Sequence, residues 1–402
     1  MKGSDKKVRS QKSEVKSQTD FSKELKSLRD RNLLRKLICI KSSENSHIVS
    51  EGRVYANFSS NDYLSLSAHP DIVKAAISAL KKYGFGSGAS RLLSGTYDSH
   101  MRLEERIAKF KKTQAALVFN TGYAANTGII PAIAGAGDIM FSDELNHASI
   151  VDGTRLSKAD VKIYRHRDVN HLESLIKKSA RDKHARRLVI TDTVFSMDGD
   201  IAPLKDIVWL CDKYDAMLMI DDAHGTGVLG KTGRGGLEHF GMKADNIIQM
   251  GTLSKAAGCC GAFVAGNKNL IHLLINRARS FIYSTSLPPA VCMGGIKAID
   301  IIDSKSMNLR KQLWKNRLQL YEGLKSLGYD TMDSETPIIP VMAGDEKTAL
   351  TLGRHLYKNK IFTPAIRPPT VPEGKCRIRF SVTAGHRSED IDHVLESLRR
   401  LK

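Results

Sequence analysis

Six short apolar runs, each closed by a polar residue and followed by a helical pattern, restrict this chain more than any other feature. They are AALVFN (115–120), DIMFS (138–142), RLVIT (187–191), AMLMID (216–221), NIIQM (246–250) and GAFVAG (261–266). Runs of this length suit strands buried on both faces, and their alternation with helices predicts an α/β architecture with a mostly parallel central sheet. The pattern changes after a long helical stretch from about Pro289 to Leu327. PIIPVMAG, FTPAIR and CRIRFSV then read as strands around the helical TALTLGRHLYKN. SEDIDHVLESLRRL closes the chain, with Ile391, Val394, Leu395 and Leu398 on one helical face and Ser388 as its N-cap. We therefore expect a large α/β domain over 56–290 and, over 291–402, a linking helix with a smaller C-terminal α+β domain. Residues 1–55 read as an N-terminal arm. Its start, MKGSDKKVRSQKSEVKSQTD, is polar and Lys-rich and expected to be disordered, while FSKELKSLRDRNLLRKL (21–37) carries helical periodicity.

Several function classes are disfavoured. No run approaches the roughly 18 uncharged apolar residues of a membrane span. The six cysteines are scattered, with no C-x-x-C pair of the kind a zinc or redox site uses, and read as reduced thiols of a cytoplasmic protein without a metal. A net charge of +19 raises nucleic acid as a partner, but Lys and Arg are spread along the chain and aromatic residues make up only 6%. The densest internal cluster, RDKHARR (181–187), reads as a solvated helix end or loop, with attraction of an anionic ligand or carrier as the alternative. Neither nucleic acid nor membrane is expected as a partner.

Ligands collect at the carboxyl ends of parallel strands. There the chain places Asp192 and Ser196 after RLVIT, then Asp221, Asp222 and His224 after AMLMI, then Thr252, Ser254 and Lys255 after NIIQM. Helix capping explains such residues one at a time. Lys255 is more informative, because the small residues of GTLS and AAGCCGAFVAG on either side admit a ligand closely. A lysine held there has its charged form disfavoured and suits Schiff-base formation, the alternative being an exposed loop lysine. A pyridoxal cofactor further needs an anion beside its ring nitrogen, for which Asp221 is the candidate. His224 is placed to reach the ring's phenolate oxygen, or is a structural histidine. His147 in FSDELNHASIVDG is a candidate to lie on the ring, or caps a helix. TGYAAN (121–126) opens a helix after AALVFN and offers the Gly122 and Tyr123 amides to a phosphate. The glycine-rich GFGSGASRLLSGT (84–96) reads as a loop.

In this order and spacing, SNDYLSL, GSGASRLLSG, HASIVDG, FSMDGD, IDDAHGTGVLG and GTLSKAAG resemble the α-oxoamine synthases, from about Asn57 to the C-terminus. The resemblance implies a fold-type-I, pyridoxal 5'-phosphate (PLP) dependent transferase, a homodimer with shared active sites, that acylates an amino acid and releases its carboxylate as carbon dioxide. AIRPPTVPEGKCRIRFSVTAGH (365–386) is similar to the branch that joins L-alanine to a pimeloyl thioester in biotin biosynthesis, with a sister synthase such as one acetylating glycine as the alternative. The acyl group would arrive on coenzyme A or an acyl carrier protein. Roles implied by the resemblance are Lys255 as the Schiff-base lysine, Asp221 at the ring nitrogen, His224 at the phenolate oxygen and His147 on the ring. Thr252, Gly122 and Tyr123 would hold the phosphate, joined by Thr285 from a neighbouring subunit, with Ser196 a second ring-side contact. Asn61 and Arg367 would receive the substrate carboxylate, and Arg35 the acyl substrate. Asp192 stands where some relatives carry Glu, and the basic N-terminal extension has no counterpart.

Overall fold

The strand Met217–Asp221 lies at the centre of a seven-stranded sheet in a computed structural model that describes residues 21–44, 46–179, 185–244, 246–304 and 307–401. Across the sheet the order is Ala115–Phe119, Ala262–Gly266, Ile247–Thr252, Met217–Asp221, Arg187–Asp192, Ile139–Asp143 and Asp160–Tyr164. All neighbours run parallel except Ala262–Gly266, which is antiparallel to both of its partners. The six anticipated runs are all strands of this sheet. The seventh strand, DVKIY, is too polar to stand out, because its place at the edge leaves only Tyr164 fully buried.

Side chains alternate across each strand and fill a core on both faces. Met140, Ile190, Met219 and Val264 pack on one side, while Phe141, Val189, Leu218 and Ile220 pack on the other. Each such buried side chain contributes roughly 1.5–3 kcal/mol of transfer free energy, so the register of the central strands is set by burial.

The long helical stretch is two helices, Pro289–Ser304 and Met307–Ser326. Beyond them Ile338–Gly344, Cys376–Ser381 and Ala365–Ile366 form an antiparallel three-stranded sheet over a core that includes Ile339, Val341, Leu356, Ile378, Phe380 and Val394. A second small sheet joins distant segments: Ser42–Glu44, His47–Ser50 and Arg53–Asn57 form an antiparallel ladder that Ile361–Phe362 extends in parallel. The last helix, Ser388–Arg399, begins one residue earlier than expected. Ser388 is its first residue and spends its hydroxyl on Gln319 Oε1 (3.1 Å), while Asp390 Oδ2 accepts the N–H of the true N-cap, Arg387 (2.9 Å).

Residues 21–38 belong to a separate unit. Its helix, Ser22–Asp30, buries no residue and is shorter than the 21–37 periodicity implies, because Asn32 takes a positive φ of 57° and the Leu33 and Leu34 amides turn back to the Leu28 carbonyl. Residues 1–20 of the arm and 181–184 of the basic cluster lie outside the described residues.

One buried ion pair anchors the edge of the sheet where the polar residues gather. Lys111 Nζ donates to Asp222 Oδ2 (2.8 Å) and Thr226 Oγ1 (3.3 Å), while Asp222 Oδ1 accepts the Gly236 amide (3.0 Å). Both side chains are at most 1% exposed. Breaking a buried pair by removing one partner leaves an uncompensated charge, which typically costs about 3–5 kcal/mol. Lys111→Met is expected to lower the unfolding free energy by that amount in urea titration, and a loss below 1 kcal/mol would mean that the pair does not hold this edge.

Candidate active site

The parallel register places the last residues of two neighbouring strands side by side, and here both are carboxylates, Asp192 opposite Asp221. Both are buried. Asp221 is held from two sides: Oδ1 accepts the Ala223 amide (2.9 Å) and Oδ2 accepts Asn126 Nδ2 (2.8 Å). Asn126 belongs to the helix Gly122–Ile133, and its Nδ2 also donates to Ser149 Oγ (2.9 Å), which is hydrogen-bonded to His147 Nδ1 (2.7 Å). Asp192 Oδ2 accepts the His147 amide (2.8 Å). Burial, and then the like charge of Asp221, hold the Asp192 carboxyl well above the usual carboxylate range.

His147 caps the helix Ala148–Ser157, as one reading of the sequence had it, and its other ring nitrogen is left over. Its surroundings lower its basicity through desolvation, against the pull of Asp221. His224 Nδ1 is hydrogen-bonded to the Tyr63 hydroxyl (2.7 Å). Burial, then the cations Lys255 and Arg379, hold His224 well below its ordinary range, so it is neutral. Tyr63 is itself buried and kept protonated.

Lys255 follows the strand Ile247–Thr252 in a tight turn whose Gly258 amide donates to the Lys255 carbonyl (2.8 Å). Gly258 has φ +64°, and a Cβ there would meet the Ser67 backbone nitrogen at 2.3 Å, so only glycine lets this turn pack. Burial lowers the basicity of Lys255, opposed by Asp221 and Asp192 and assisted by Arg379. No hydrogen bond or ion pair involves Lys255 Nζ among the described residues. A shielded amine facing two carboxyls without bonding either is poised for a carbonyl.

Arg379 was not anticipated. It projects from the strand Cys376–Ser381 and is buried, donating through Nη2 to Asn61 Oδ1 (3.2 Å), through Nη1 to Ser381 Oγ (2.6 Å) and through Nε to the Ser196 carbonyl. The available signal was the alternation in CRIRFS, where charged positions interleave with Ile378 and Phe380 on a strand whose every residue is buried. Arg367, the expected carboxylate ligand, is buried just beyond the strand Ala365–Ile366, where its charge is felt by Cys376. Asn61 stands beside Arg379 as described. Tyr63, Asn126 and Ser149 also went unnoticed, since nothing local in their segments marks them.

Thr252 Oγ1 donates to the Gly261 carbonyl (2.9 Å) and accepts the Ser254 amide (3.0 Å). Thr121 Oγ1 caps the helix Gly122–Ile133 through the Ala124 amide (3.0 Å), leaving the Gly122 and Tyr123 amides without a hydrogen-bond partner among the described residues. Thr285 is exposed, and its carbonyl accepts Asn120 Nδ2 (2.7 Å). Arg35 belongs to the N-terminal unit, where its side chain is exposed. The donor set fits PLP: an unengaged amine, a rigidly held carboxylate for the ring nitrogen and two bare amides at a helix N-terminus for the phosphate.

The loops carrying His147 and Ser196 are tied together from behind. His166 lies between Asp143 Oδ1 (2.9 Å) and Asp200 Oδ2 (2.7 Å) and stacks edge-on against Phe195. Burial opposes its charging, yet the hydrogen bonds it donates to the two carboxylates prevail and bring it up to about 9.

Residues 53–398 match the class I and II aminotransferase family. An 8-amino-7-oxononanoate synthase of Geobacter sulfurreducens is 50% identical over 94% of this chain and 96% of its own. The enzyme of the same name from Thermoanaerobacter pseudethanolicus is 47% identical over 95% and 96%. Among solved structures, Sphingomonas wittichii serine palmitoyltransferase superposes with a TM-score of 0.90 at 33% identity, covering 94% of this chain and 97% of its own. A serine palmitoyltransferase from S. paucimobilis with a bound PLP–myriocin aldimine gives 0.89 at 32%, covering 94% and 96%. The 8-amino-7-oxononanoate synthase of Francisella tularensis gives 0.74 at 29%, covering 86% and 97%.

A histidine whose folded-state basicity is raised stabilises the fold below its ordinary value near 6.5, and that contribution disappears as pH rises through about 9. His166→Asn is therefore expected to be destabilised on the order of 3 kcal/mol at pH 6, with the gap closing by pH 10. Unfolding titrations across this range check it; a gap independent of pH would show that the imidazolium is not the clamp.

Proposed function

The chain belongs to the class I and II aminotransferase family and, within it, to the 8-amino-7-oxononanoate synthases, and from that premise we propose how its residues divide the work. The reaction is the PLP-dependent condensation of L-alanine with a pimeloyl thioester, releasing carbon dioxide and free thiol and yielding 8-amino-7-oxononanoate for biotin biosynthesis. The observation that carries the reading is Lys255, a desolvated amine with no hydrogen-bond partner among the described residues, which faces Asp192 and Asp221. PLP, when bound, supplies a protonated ring that accepts the electron pair freed at the amino acid's α-carbon.

The chain's own residues do the rest. Lys255 Nζ would hold the cofactor's aldehyde group and, as a desolvated amine, would carry the α-proton of the amino acid. Asp221, fixed by Asn126 and the Ala223 amide, keeps the ring nitrogen protonated. His147 would lie against the cofactor ring, and neutral His224 with Ser196 would sit at its phenolate oxygen. The Gly122 and Tyr123 amides and Thr252 receive the phosphate, with Thr285 from a neighbouring subunit of a homodimer. Arg379 with Asn61 grips the amino acid's carboxylate, a role that fits a fork-shaped cation better than a lysine; Arg367 is the competing candidate. Arg35 is assigned to the acyl substrate. The chain's net positive charge suits either coenzyme A or an acyl carrier protein, and its free cysteines suit the cytoplasm.

Turnover of alanine and glycine with pimeloyl and acetyl thioesters tests the reaction: alanine with pimeloyl is expected to dominate, and preference for glycine with acetyl would assign a sister activity. Borohydride reduction with PLP is expected to label Lys255 in the parent and to leave Lys255→Ala unlabelled. Asp221→Ala is expected to lower kcat roughly 10²–10³-fold while still binding PLP by absorbance, and full activity would refute its role. Arg379→Lys is expected to raise the KM for alanine by roughly 10–100-fold, the loss of a charge-assisted bond, with a smaller effect from Arg367→Lys; the reverse order would return the carboxylate to Arg367.

A further inference from the structure

Three polar groups converge on the Tyr63 hydroxyl, which is buried and stays protonated. His224 Nδ1 lies 2.7 Å from it, Asn61 Oδ1 3.4 Å and Arg379 Nη2 3.5 Å. The phenol ring meets the imidazole edge-on, with centroids 6.0 Å apart and planes at 61°. Behind it, the Tyr63 carbonyl accepts the Ala384 amide (2.8 Å), which ties the residue to the loop after the strand Cys376–Ser381. Packing and main chain therefore hold the hydroxyl where these three groups can reach it.

A hydroxyl has one proton to give, and the direction in which Tyr63 gives it decides the tautomer of His224. Arg379 Nη2 is a donor only, so it is never the recipient. Two arrangements remain. In the first, the hydroxyl donates to His224 Nδ1, the phenol oxygen accepts from Arg379, and the imidazole proton resides on Nε2. In the second, Nδ1 carries the proton and donates to the phenol oxygen, so the hydroxyl must turn to Asn61 Oδ1. That contact, at 3.4 Å, is long for a bond that is normally about 2.5–3.0 Å. Asn61 Oδ1 is moreover already the acceptor of Arg379 Nη2 (3.2 Å). The second arrangement leaves a buried hydroxyl proton poorly matched, whereas the first satisfies hydroxyl, imidazole and guanidinium together. Arg379 also opposes the effect of burial on the phenol, which makes the hydroxyl a better donor toward Nδ1.

From these contacts we infer that Tyr63 is a positioning residue whose hydroxyl donates to His224 Nδ1 and so holds the imidazole in its Nε2–H form. His224 Nε2 makes no hydrogen bond among the described residues, so its proton is available to a ligand. Resting on the role assigned to His224 above, that proton stabilises the cofactor's phenolate oxygen. The opposite tautomer would present a lone pair there and favour a protonated oxygen instead.

Two measurements on the full chain test this. In the first, histidine is labelled at its ring nitrogens, nitrogen NMR spectra are recorded with and without PLP, and the His224 signals are identified as those lost in His224→Gln. The parent is expected to show a bare Nδ1 and a protonated Nε2, and Tyr63→Phe to lose that preference. A protonated Nδ1 in the parent, or an unchanged Nε2–H form in Tyr63→Phe, would overturn the inference. The parent spectrum decides the tautomer even if Tyr63→Phe fails to fold.

The second measurement is the absorbance of the PLP-loaded protein. In Tyr63→Phe the ratio of the long-wavelength band, from the phenolate form, to the short-wavelength band is expected to fall about tenfold, as for the loss of one hydrogen bond to a charged oxygen. A role confined to packing would lower the melting temperature and PLP content without moving that ratio, and an unmoved ratio would sever the tautomer from the cofactor. A parent that binds no PLP would refute the reading of the site, while the tautomer found in the unloaded chain would stand.

Discussion

Two carboxyl groups at the ends of adjacent parallel strands are the constraint around which the rest of the site is arranged. The ladder that pairs Asp192 with Asp221 brings them together at the point where strands give way to loops, and burial, then the like charge of Asp221, hold the Asp192 carboxyl well above its usual range. Asp221 is fixed by an amide on its own loop and by Asn126 from a neighbouring helix. A rigid anion of that kind is what a ring nitrogen needs, because an anion that could swing away would let the ring lose its proton. The cations follow from the anions. Lys255 and Arg379 enter the same space, each depressing the basicity of His224, and Lys255 is the one whose nitrogen has no hydrogen-bond partner among the described residues.

Supporting interactions lie one layer further out and hold the loops rather than the ligand. The Lys111–Asp222 pair is fully buried one residue beyond Asp221, so the turn that carries His224 is anchored to the helix Asp98–Lys111. His166 does the same between the loops that carry His147 and Ser196, with charge supplied by Asp143 and Asp200. Neither group has to touch a substrate to matter, since a displacement of about 1 Å at a reacting group is enough to slow catalysis substantially.

Much of the fold was legible because burial leaves a local record. A strand covered on both faces must be apolar along its length, so RLVIT and AMLMI announce themselves, and their polar ends mark the ligand edge. DVKIY at the sheet edge leaves a weaker record and was overlooked. The cap at Ser388 was misplaced by one residue because Asp390 competes successfully for the Arg387 amide. For the site, Lys255, Asp221, His224 and His147 sit in strand-end loops, where position in the chain implies position in space. Arg379 and Tyr63 do not: they are 316 residues apart, and they meet only through the tertiary fold.

By itself, then, the chain determined that there would be a parallel sheet, which edge of it would carry chemistry, and which amine would stand there, because apolar periodicity and strand ends are local properties. Tertiary structure alone decided which arginine joins that amine and which partners hold Asp221 in place. Those outcomes depend on distances and desolvation among segments far apart in sequence, and no local pattern encodes them.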